Sequence, residues 1–421
     1  MLLNNHGIVL SLKNDFLGAI NQFKRVININ SDFYQAYYSI AFLKFKLSLF
    51  DESLDYLRKY LKYEFKNCDA YNLLGIILLE KNMLDEAIIN FNKCISLQMD
   101  FVKAYNNLGI AFFKKREFQK SINFLKIGIN LDPNFTILYF NLAKSYSDSH
   151  QYIHAVDTIK IFLDKEPNNP AALALLGYYL IRIGKISEGL KFLEKSLEIS
   201  PNVKENYNLI IFNMNYLEDI DFKKYQNVIN RLKNLFEKYS KKNVKFEKKI
   251  IDLKKIKIGF VSSDFNNHAV AYQISEVLDY FSKKINFDLY AYYNSEKEDV
   301  ITQKIKSYFK NWKAVYNFSD SFLVDIIKSD NIDILVDLSG YSAGNRLEIF
   351  FSKPAPIQVS WAGYLASTGL NEIDYIIADK NSITEKEEHQ FTEKIYRLKN
   401  IWTVLRQEVH IPLNKIGRAH V

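Results

Sequence analysis

From Lys257 to His268 the chain reads Lys-Ile-Gly-Phe-Val-Ser-Ser-Asp-Phe-Asn-Asn-His. Two hydroxyls, a carboxylate, two amides and an imidazole crowd the end of an apolar run, and such groups bind polar ligands through hydrogen bonds. The elements that must hold them are readable on either side. Lys257 to Val261 makes a short strand, and Ser262, Ser263, Asp264, Asn266 and Asn267 supply the turn. After Val270, Ile274, Val277, Leu278 and Phe281 recur at helical spacing. A strand, a polar turn and a helix in that order set small polar groups at the carboxyl edge of a sheet, where open α/β folds bind ligands.

The chain has 421 residues, room for two or three domains. Its 48% apolar and 25% charged content is a globular balance. A formal charge of +8 without an Arg/Lys stripe among aromatics gives no reason to expect a nucleic acid. Cys68 and Cys94 are the only cysteines, so a disulfide framework is not expected and a reducing compartment is. Cys94 falls where the repeats described below take a small residue, which predicts a packing role. No apolar run reaches the length of a membrane span, and Asn4, Asn5 and His6 follow the start where a signal peptide would continue apolar, so the expected location is the cytoplasm.

Ahead of the chemical stretch lies a repeat. Small residues recur at Gly7, Ala41, Gly75, Gly109, Ala143 and Gly177, each 34 residues after the last. Ala19, Ser53, Ala87, Ser121, Ala155 and Gly189 keep the same step, as do Pro133, Pro167 and Pro201. Each unit carries two amphipathic helical patterns, and the small residues fall where helix meets helix. The pattern resembles the tetratricopeptide repeat, which implies a right-handed superhelix whose concave face binds extended peptides or partner helices. Asn5, Asn107 and Asn141 lie two residues before the first small series, at the position that in this repeat faces the concave surface. Amides there can grip a peptide backbone, although Ser39, Leu73 and Leu175 interrupt the ladder and Asn is common throughout the chain.

Six units thus fill residues 1–202. Residues 203–255 read as a helical adaptor in a different phase, with Val228, Leu232 and Phe236 on one face and a solvated basic connector, Lys241-Lys242-Asn243-Val244-Lys245. From Ile256 strand and helix patterns alternate: strands over Phe287 to Tyr293, Ile332 to Leu338, Ile357 to Trp361 and Tyr375 to Ala378, and helices over Asp299 to Phe309, Ser321 to Ser329 and Arg346 to Phe351. The expected fold class is therefore an α solenoid followed by a Rossmann-like α/β lobe over 256–415. There is no P-loop, no G-x-G-x-x-G and no Cys/His metal spacing.

Gly259 to Phe265 with His268, Gly340 to Arg346, Pro354-Ala355-Pro356-Ile357-Gln358, Trp361 to Tyr364 and Ser367-Thr368-Gly369 to Asp374-Tyr375 resemble, in order, the catalytic region of the O-linked N-acetylglucosamine transferase family. That family includes the plant SPINDLY-type O-fucosyltransferases. The resemblance, which with the repeats covers nearly the whole chain, implies the first lobe of a two-lobed GT-B transferase. Such an enzyme moves a sugar from a nucleotide diphosphate donor, here expected to be UDP-GlcNAc, to Ser or Thr hydroxyls of proteins without a metal ion or other cofactor. It also implies that His268 lies beside the donor and that Asp264 helps to move the acceptor proton through water. N-capping of the next helix is the competing role for Asp264, and satisfaction by a backbone group at the helix start is that for His268. Gly363, Ser367, Thr368 and Gly369 would shape the loop facing the sugar, the glycines as backbone geometry first. Trp361 is expected in the core, and Arg346 either on phosphate or on the surface at a helix start.

Two departures from the family's pattern matter. The adaptor has no histidine where many relatives carry one, and the second lobe, which supplies most nucleotide contacts including a lysine on the diphosphate, is expected to be missing. Residues 416–421, Ile-Gly-Arg-Ala-His-Val, are what a common sequencing-adapter end encodes, so a fragment with a non-native tail and a clipped start is expected, inactive alone. The alternatives are a non-catalytic interaction scaffold, or the same chemistry with GDP-fucose or another nucleotide sugar.

Overall fold

A computed structural model describes residues 2–218, 221–239 and 255–403. The basic connector and the six-residue tail lie outside the described residues. The chain divides into two compact units, residues 1–196 and 197–421.

The first unit is a run of paired antiparallel helices, α1 (Leu2–Leu12) with α2 (Phe16–Ile29), α3 (Gln35–Lys46) with α4 (Phe50–Tyr63), and α5 (Cys68–Glu80) with α6 (Leu84–Leu97). The series continues through α7 (Val102–Lys114), α8 (Phe118–Leu131), α9 (Ile137–Asp148), α10 (Tyr152–Lys165), α11 (Pro170–Arg182) and α12 (Ile186–Ile199). The two small series meet inside each pair. A Cβ on Gly109 would sit 2.5 Å from Leu125 of the paired helix, so bulk there would force the helices apart. Where serine replaces alanine its hydroxyl is satisfied by the small partner, Ser53 donating to the Ala41 carbonyl at 2.6 Å and Ser121 to that of Gly109 at 2.7 Å. Asp15, Asn67 and Asn169 cap their helices by accepting backbone N–H groups, with Pro170 at the first helical position.

One expectation is corrected. Cys68, the first residue of α5, and Cys94 on α6 are joined in a disulfide, their Cα atoms 4.4 Å apart, where no disulfide was expected and Cys94 was expected to pack as a small residue. The hairpin places the start of one helix against the end of its partner, a proximity that spacing alone did not reveal.

In the second unit α13 (Lys204–Met214) and α14 (Phe222–Tyr239) precede a seven-stranded sheet in the order β3-β2-β1-β4-β5-β6-β7. The strands are β1 (Ile256–Ser262), β2 (Phe287–Tyr293), β3 (Asn311–Ala314), β4 (Ile334–Asp337), β5 (Ile357–Ser360), β6 (Tyr375–Asp379) and β7 (Lys394–Leu398), and each neighbouring pair runs parallel. Helices α15 (Ala269–Ser282), α16 (Val300–Lys306), α17 (Asp320–Ser329) and α18 (Leu347–Phe351) connect them. The chain builds outward from β1 to β3, then returns to lay β4 on the other side of β1, so the strand order reverses between β1 and β4. Ile258, Phe260, Phe265, Ile274, Leu278, Leu289, Val336 and Trp361 share one core, with Trp361 donating its indole N–H to the Trp402 carbonyl at 3.0 Å.

Candidate active site

The turn after β1 and the loop after β4 emerge on either side of the reversal, and the loop after β5 lies next to them. In the first turn Asp264 Oδ2 stands 3.8 Å from His268 Nδ1, with Asp264 mostly buried and His268 about half exposed. The cap of α15 is His268: its Nδ1 accepts the Val270 N–H at 3.3 Å. Asp264 does not cap; its N–H donates to Ser262 Oγ at 3.0 Å, and its Oδ1 accepts from Ser263 Oγ at 2.9 Å. With Nδ1 accepting from the helix, a neutral His268 ring keeps its proton on Nε2. The turn is braced from outside, since Asp299 accepts the Asn267 N–H at 2.7 Å and Tyr272 donates to Asn267 Oδ1 at 2.9 Å. Those backbone donors, foremost that of Thr302 and then that of Asn267, hold the Asp299 carboxyl below its ordinary range.

The loop after β4 begins at Asp337, a residue the sequence reading passed over because it stands in an apolar run. It is fully buried and accepts the N–H groups of Ser339 at 3.2 Å and Gly340 at 2.8 Å. Burial pushes its pKa up to about 6, with the charges of Glu393 and Asp264 adding to the rise and the two N–H donors opposing it. Gly340, at φ +53, has no room for a Cβ against the Tyr364 ring. Arg346 closes this loop and is buried, neither at the surface nor open to a ligand. Its guanidinium donates to Asp320 at 2.6 Å, to Asn294 Oδ1 at 3.1 Å and to the carbonyls of Val315 and Phe318 at 3.3 and 2.9 Å. In this geometry it ties three loops together.

The loop after β5 carries the residues expected to face a sugar, Gly363, Ser367, Thr368 and Gly369. A Cβ on Gly363 would collide with the Leu338 carbonyl oxygen, so glycine is set by close approach. Ser367 and Thr368 are buried, and their hydroxyls both donate to Glu393, beside β7; the Ser367 contact measures 2.7 Å, and the Thr368 N–H adds another at 2.7 Å. These hydroxyls brace the loop from within, and Gly363 and Ser367 also line the cavity described below. Gly369, at φ +67, packs against Ile229 of α14. The backbone around it is pinned by Tyr341, whose hydroxyl donates to the Thr368 carbonyl at 2.6 Å, and by Tyr225, which donates to that of Ser367 at 3.1 Å. Asn215 donates to the Tyr364 hydroxyl at 2.8 Å. Between α13, α14 and this loop opens a cavity of about 370 Å³ lined by Phe212, Asn215, Tyr216, Tyr225, Tyr364 and Phe391, among others. Glu393 and the cavity could not be read from the sequence, since both depend on pairings across tens of residues.

In the repeat unit, Asn107 Nδ2 donates to Asn72 Oδ1 and Asn141 Nδ2 to Asn106 Oδ1, each at 2.8 Å and each from one repeat to the one before. Two ladder amides are thus oriented by a second asparagine series three residues before Gly75 and Gly109, which the sequence reading did not single out. Asn5 lies exposed on α1. Among the described residues no group of three or more His, Cys, Asp or Glu side chains could hold a metal ion, and no helix is long and apolar enough to cross a membrane.

Residues 212–409 match the glycosyl transferase family 41 model, and residues 69–100 and 170–203 match a tetratricopeptide repeat model. The chain is 30% identical over 210 residues to a probable UDP-N-acetylglucosamine–peptide N-acetylglucosaminyltransferase SPINDLY of Oryza sativa subsp. japonica, covering 49% of this chain and 22% of that protein. It is 34% identical over 152 residues to the protein of the same description named SEC in Arabidopsis thaliana, covering 36% of this chain and 16% of that one. The chain therefore spans only about a fifth of the length of these curated relatives. A solved Thermobaculum terrenum O-GlcNAc transferase mutant shares the fold at a TM-score of 0.61 and 21% identity, over 72% of this chain and 58% of that one. With its helical repeats ahead of a parallel sheet whose loops carry these blocks, the chain is similar to glycosyl transferase family 41 over residues 212–409 and to tetratricopeptide repeat proteins over residues 69–100 and 170–203.

Proposed function

We propose that this chain is part of a protein O-glycosyltransferase that moves N-acetylglucosamine from UDP-GlcNAc to Ser or Thr hydroxyls of acceptor proteins, inverting the anomeric centre without a metal ion. The observation that carries the reading is the Asp264 and His268 pair at the point where the strand order reverses. In this reading Asp264 draws the acceptor proton away through water, and the half-exposed His268 ring donates from Nε2 to the donor. The turn is held by Ser262, Ser263 and Asp299, so little reorganisation is needed as charge develops. Gly363, Ser367, Thr368 and Gly369 present the loop's backbone to the sugar while Glu393 fixes it from behind. Arg346 acts on the nucleotide only indirectly, by holding the loop after β4. The array, through Asn5, Asn107 and Asn141, takes the acceptor polypeptide.

The resemblance implies a second lobe that supplies most nucleotide contacts, so in this reading the 421-residue chain is inactive alone and transfer is read on a form that carries that lobe. Asp264→Asn and His268→Ala should each lower transfer of labelled N-acetylglucosamine to a Ser/Thr peptide by roughly a hundredfold or more. Their melting temperatures should stay near that of the parent. Unchanged transfer in both variants removes the site assignment, and transfer from GDP-fucose in place of UDP-GlcNAc changes the donor.

A further inference from the structure

We propose that the cavity enclosed by α13, α14, α17 and α18 binds a small organic cation, a primary ammonium carried on an apolar body such as an aryl or alkyl amine. The cavity lies wholly within the second unit and measures about 210 Å³. An apolar cavity of about 150 Å³ takes up benzene, so this one has room for a single ring with a short polar arm. Leu235 and Phe236 near the end of α14 and Val324 of α17 supply the apolar wall. That wall is set by packing, since the Phe236 ring lies against that of Phe351 with centroids 5.7 Å apart.

Three carboxylates, Glu348, Asp320 and Asp325, line the same space. Glu348 Oε1 is paired with Lys204, and its Oε2 is buried with no hydrogen-bond partner among the described residues. Asp320 gives Oδ1 to Arg346 Nε at 2.6 Å, which leaves its other oxygen for an occupant. Burial foremost, with the charge of Asp320 added, raises the Glu348 carboxyl above its ordinary range against the pull of Lys204, as two carboxylates close enough to repel require. The lysines do not cancel this. Lys204 is taken up by Glu348, and Lys328 stands one turn after Asp325 on α17, where those two charges offset each other. What remains inside is acceptor capacity without donors. An ammonium brings three N–H donors and the opposite charge, and the soft terminal torsion of Glu348 lets Oε2 turn toward it. A neutral apolar ligand strands both oxygens, and an anion is repelled by them.

The test titrates benzylammonium chloride into the 421-residue chain, followed by ligand-observed NMR and calorimetry. Saturable binding in the millimolar range is expected, weakening as salt rises. Benzyl alcohol, which keeps the ring and loses the charge, should bind at least about tenfold more weakly. Asp325→Lys reverses a charge at an exposed position and should weaken benzylammonium at least about fivefold with the melting temperature unchanged. Glu348→Gln keeps the side chain's shape, removes the inner charge and should weaken it at least about tenfold. Should Glu348→Gln fail to fold with Lys204 left unpaired, Asp325→Lys still decides. No saturable binding below about 50 mM overturns the proposal. So does benzyl alcohol binding as tightly as benzylammonium, which would mark an apolar hole without selection for charge. Benzylammonium affinity unchanged in either folded variant places the amine elsewhere and overturns it too.

Discussion

Glu393 fixes the loop after β5 more directly than any residue of the loop itself. It accepts from the hydroxyls of Ser367 and Thr368 and from the Thr368 N–H, all buried. Glu393→Ala strands those donors, and at about 1 to 3 kcal/mol for an unsatisfied buried group the second unit should lose about 3 kcal/mol in a denaturant titration. All three tryptophans lie in that unit, so fluorescence reads it alone. Asp337 makes the complementary case. Its pKa rises from 3.8 to about 6 on folding, so the folded chain binds the proton more tightly than the unfolded one. The stability this contributes is full below pH 4 and is lost as pH rises through 6, by about 3 kcal/mol over the whole window. Other carboxylates pull the opposite way, Asp299 and Asp379 being lowered, so the effect is read as the difference between parent and Asp337→Asn. That difference should change steadily between pH 4 and 6, and a flat one would show that Asp337 ionises as it does in the unfolded chain. Neither role was visible in the sequence. A Ser-Thr-Gly run shows that hydroxyls are present and not which way they face, and Asp337 stands in an apolar strand with no polar neighbour to mark it.

Among the elements, what packing sets by size was readable and what backbone sets by angle was not. The small residues at 34-residue spacing gave the helix pairs, because each excludes bulk at a helix crossing. A third series at the same step escaped notice: Asn14, Ser48, Asn82, Arg116, His150 and Gly184 all adopt positive φ, between +59 and +83. They end the first helix of each pair in a left-handed turn, as at Arg116, where N–H groups of Arg116 and Glu117 reach back to the carbonyls of Phe113 and Phe112. The residue types differ because the turn needs an angle and tolerates a side chain at a cost of about 1 kcal/mol. Arg116→Gly should therefore raise the stability of the repeat unit by at most about 0.5 kcal/mol, the relief of that strain less the added freedom of the unfolded chain. The measurement is thermal unfolding by far-ultraviolet circular dichroism, and a lower melting temperature would mean the arginine side chain contributes contacts that outweigh the angle. The edge strands β3 and β7 escaped for a related reason, since Asn311–Ala314 and Lys394–Leu398 are half polar and lack the apolar run that marked the central strands.

At the scale of the whole molecule the two units have separate cores, one through the sheet and others through successive repeats. Separate cores need not melt together, and each can be loaded by one added side-chain atom or branch. Gly363→Ala drives a Cβ into the Leu338 carbonyl, backbone against side chain with no rotamer to relieve it, so the sheet unit should lose more than about 3 kcal/mol. Gly109→Val crowds Leu125 from 2.5 Å, and the repeat unit should lose about 1 to 3 kcal/mol. Calorimetry with tryptophan fluorescence distinguishes the outcomes. Gly363→Ala should shift the transition seen by fluorescence and leave the helical signal of the array near its parent midpoint, and Gly109→Val should do the reverse. If both substitutions move one shared transition by comparable amounts, the units fold as a single cooperative body, and sites on the array and on the sheet would then report each other's stability.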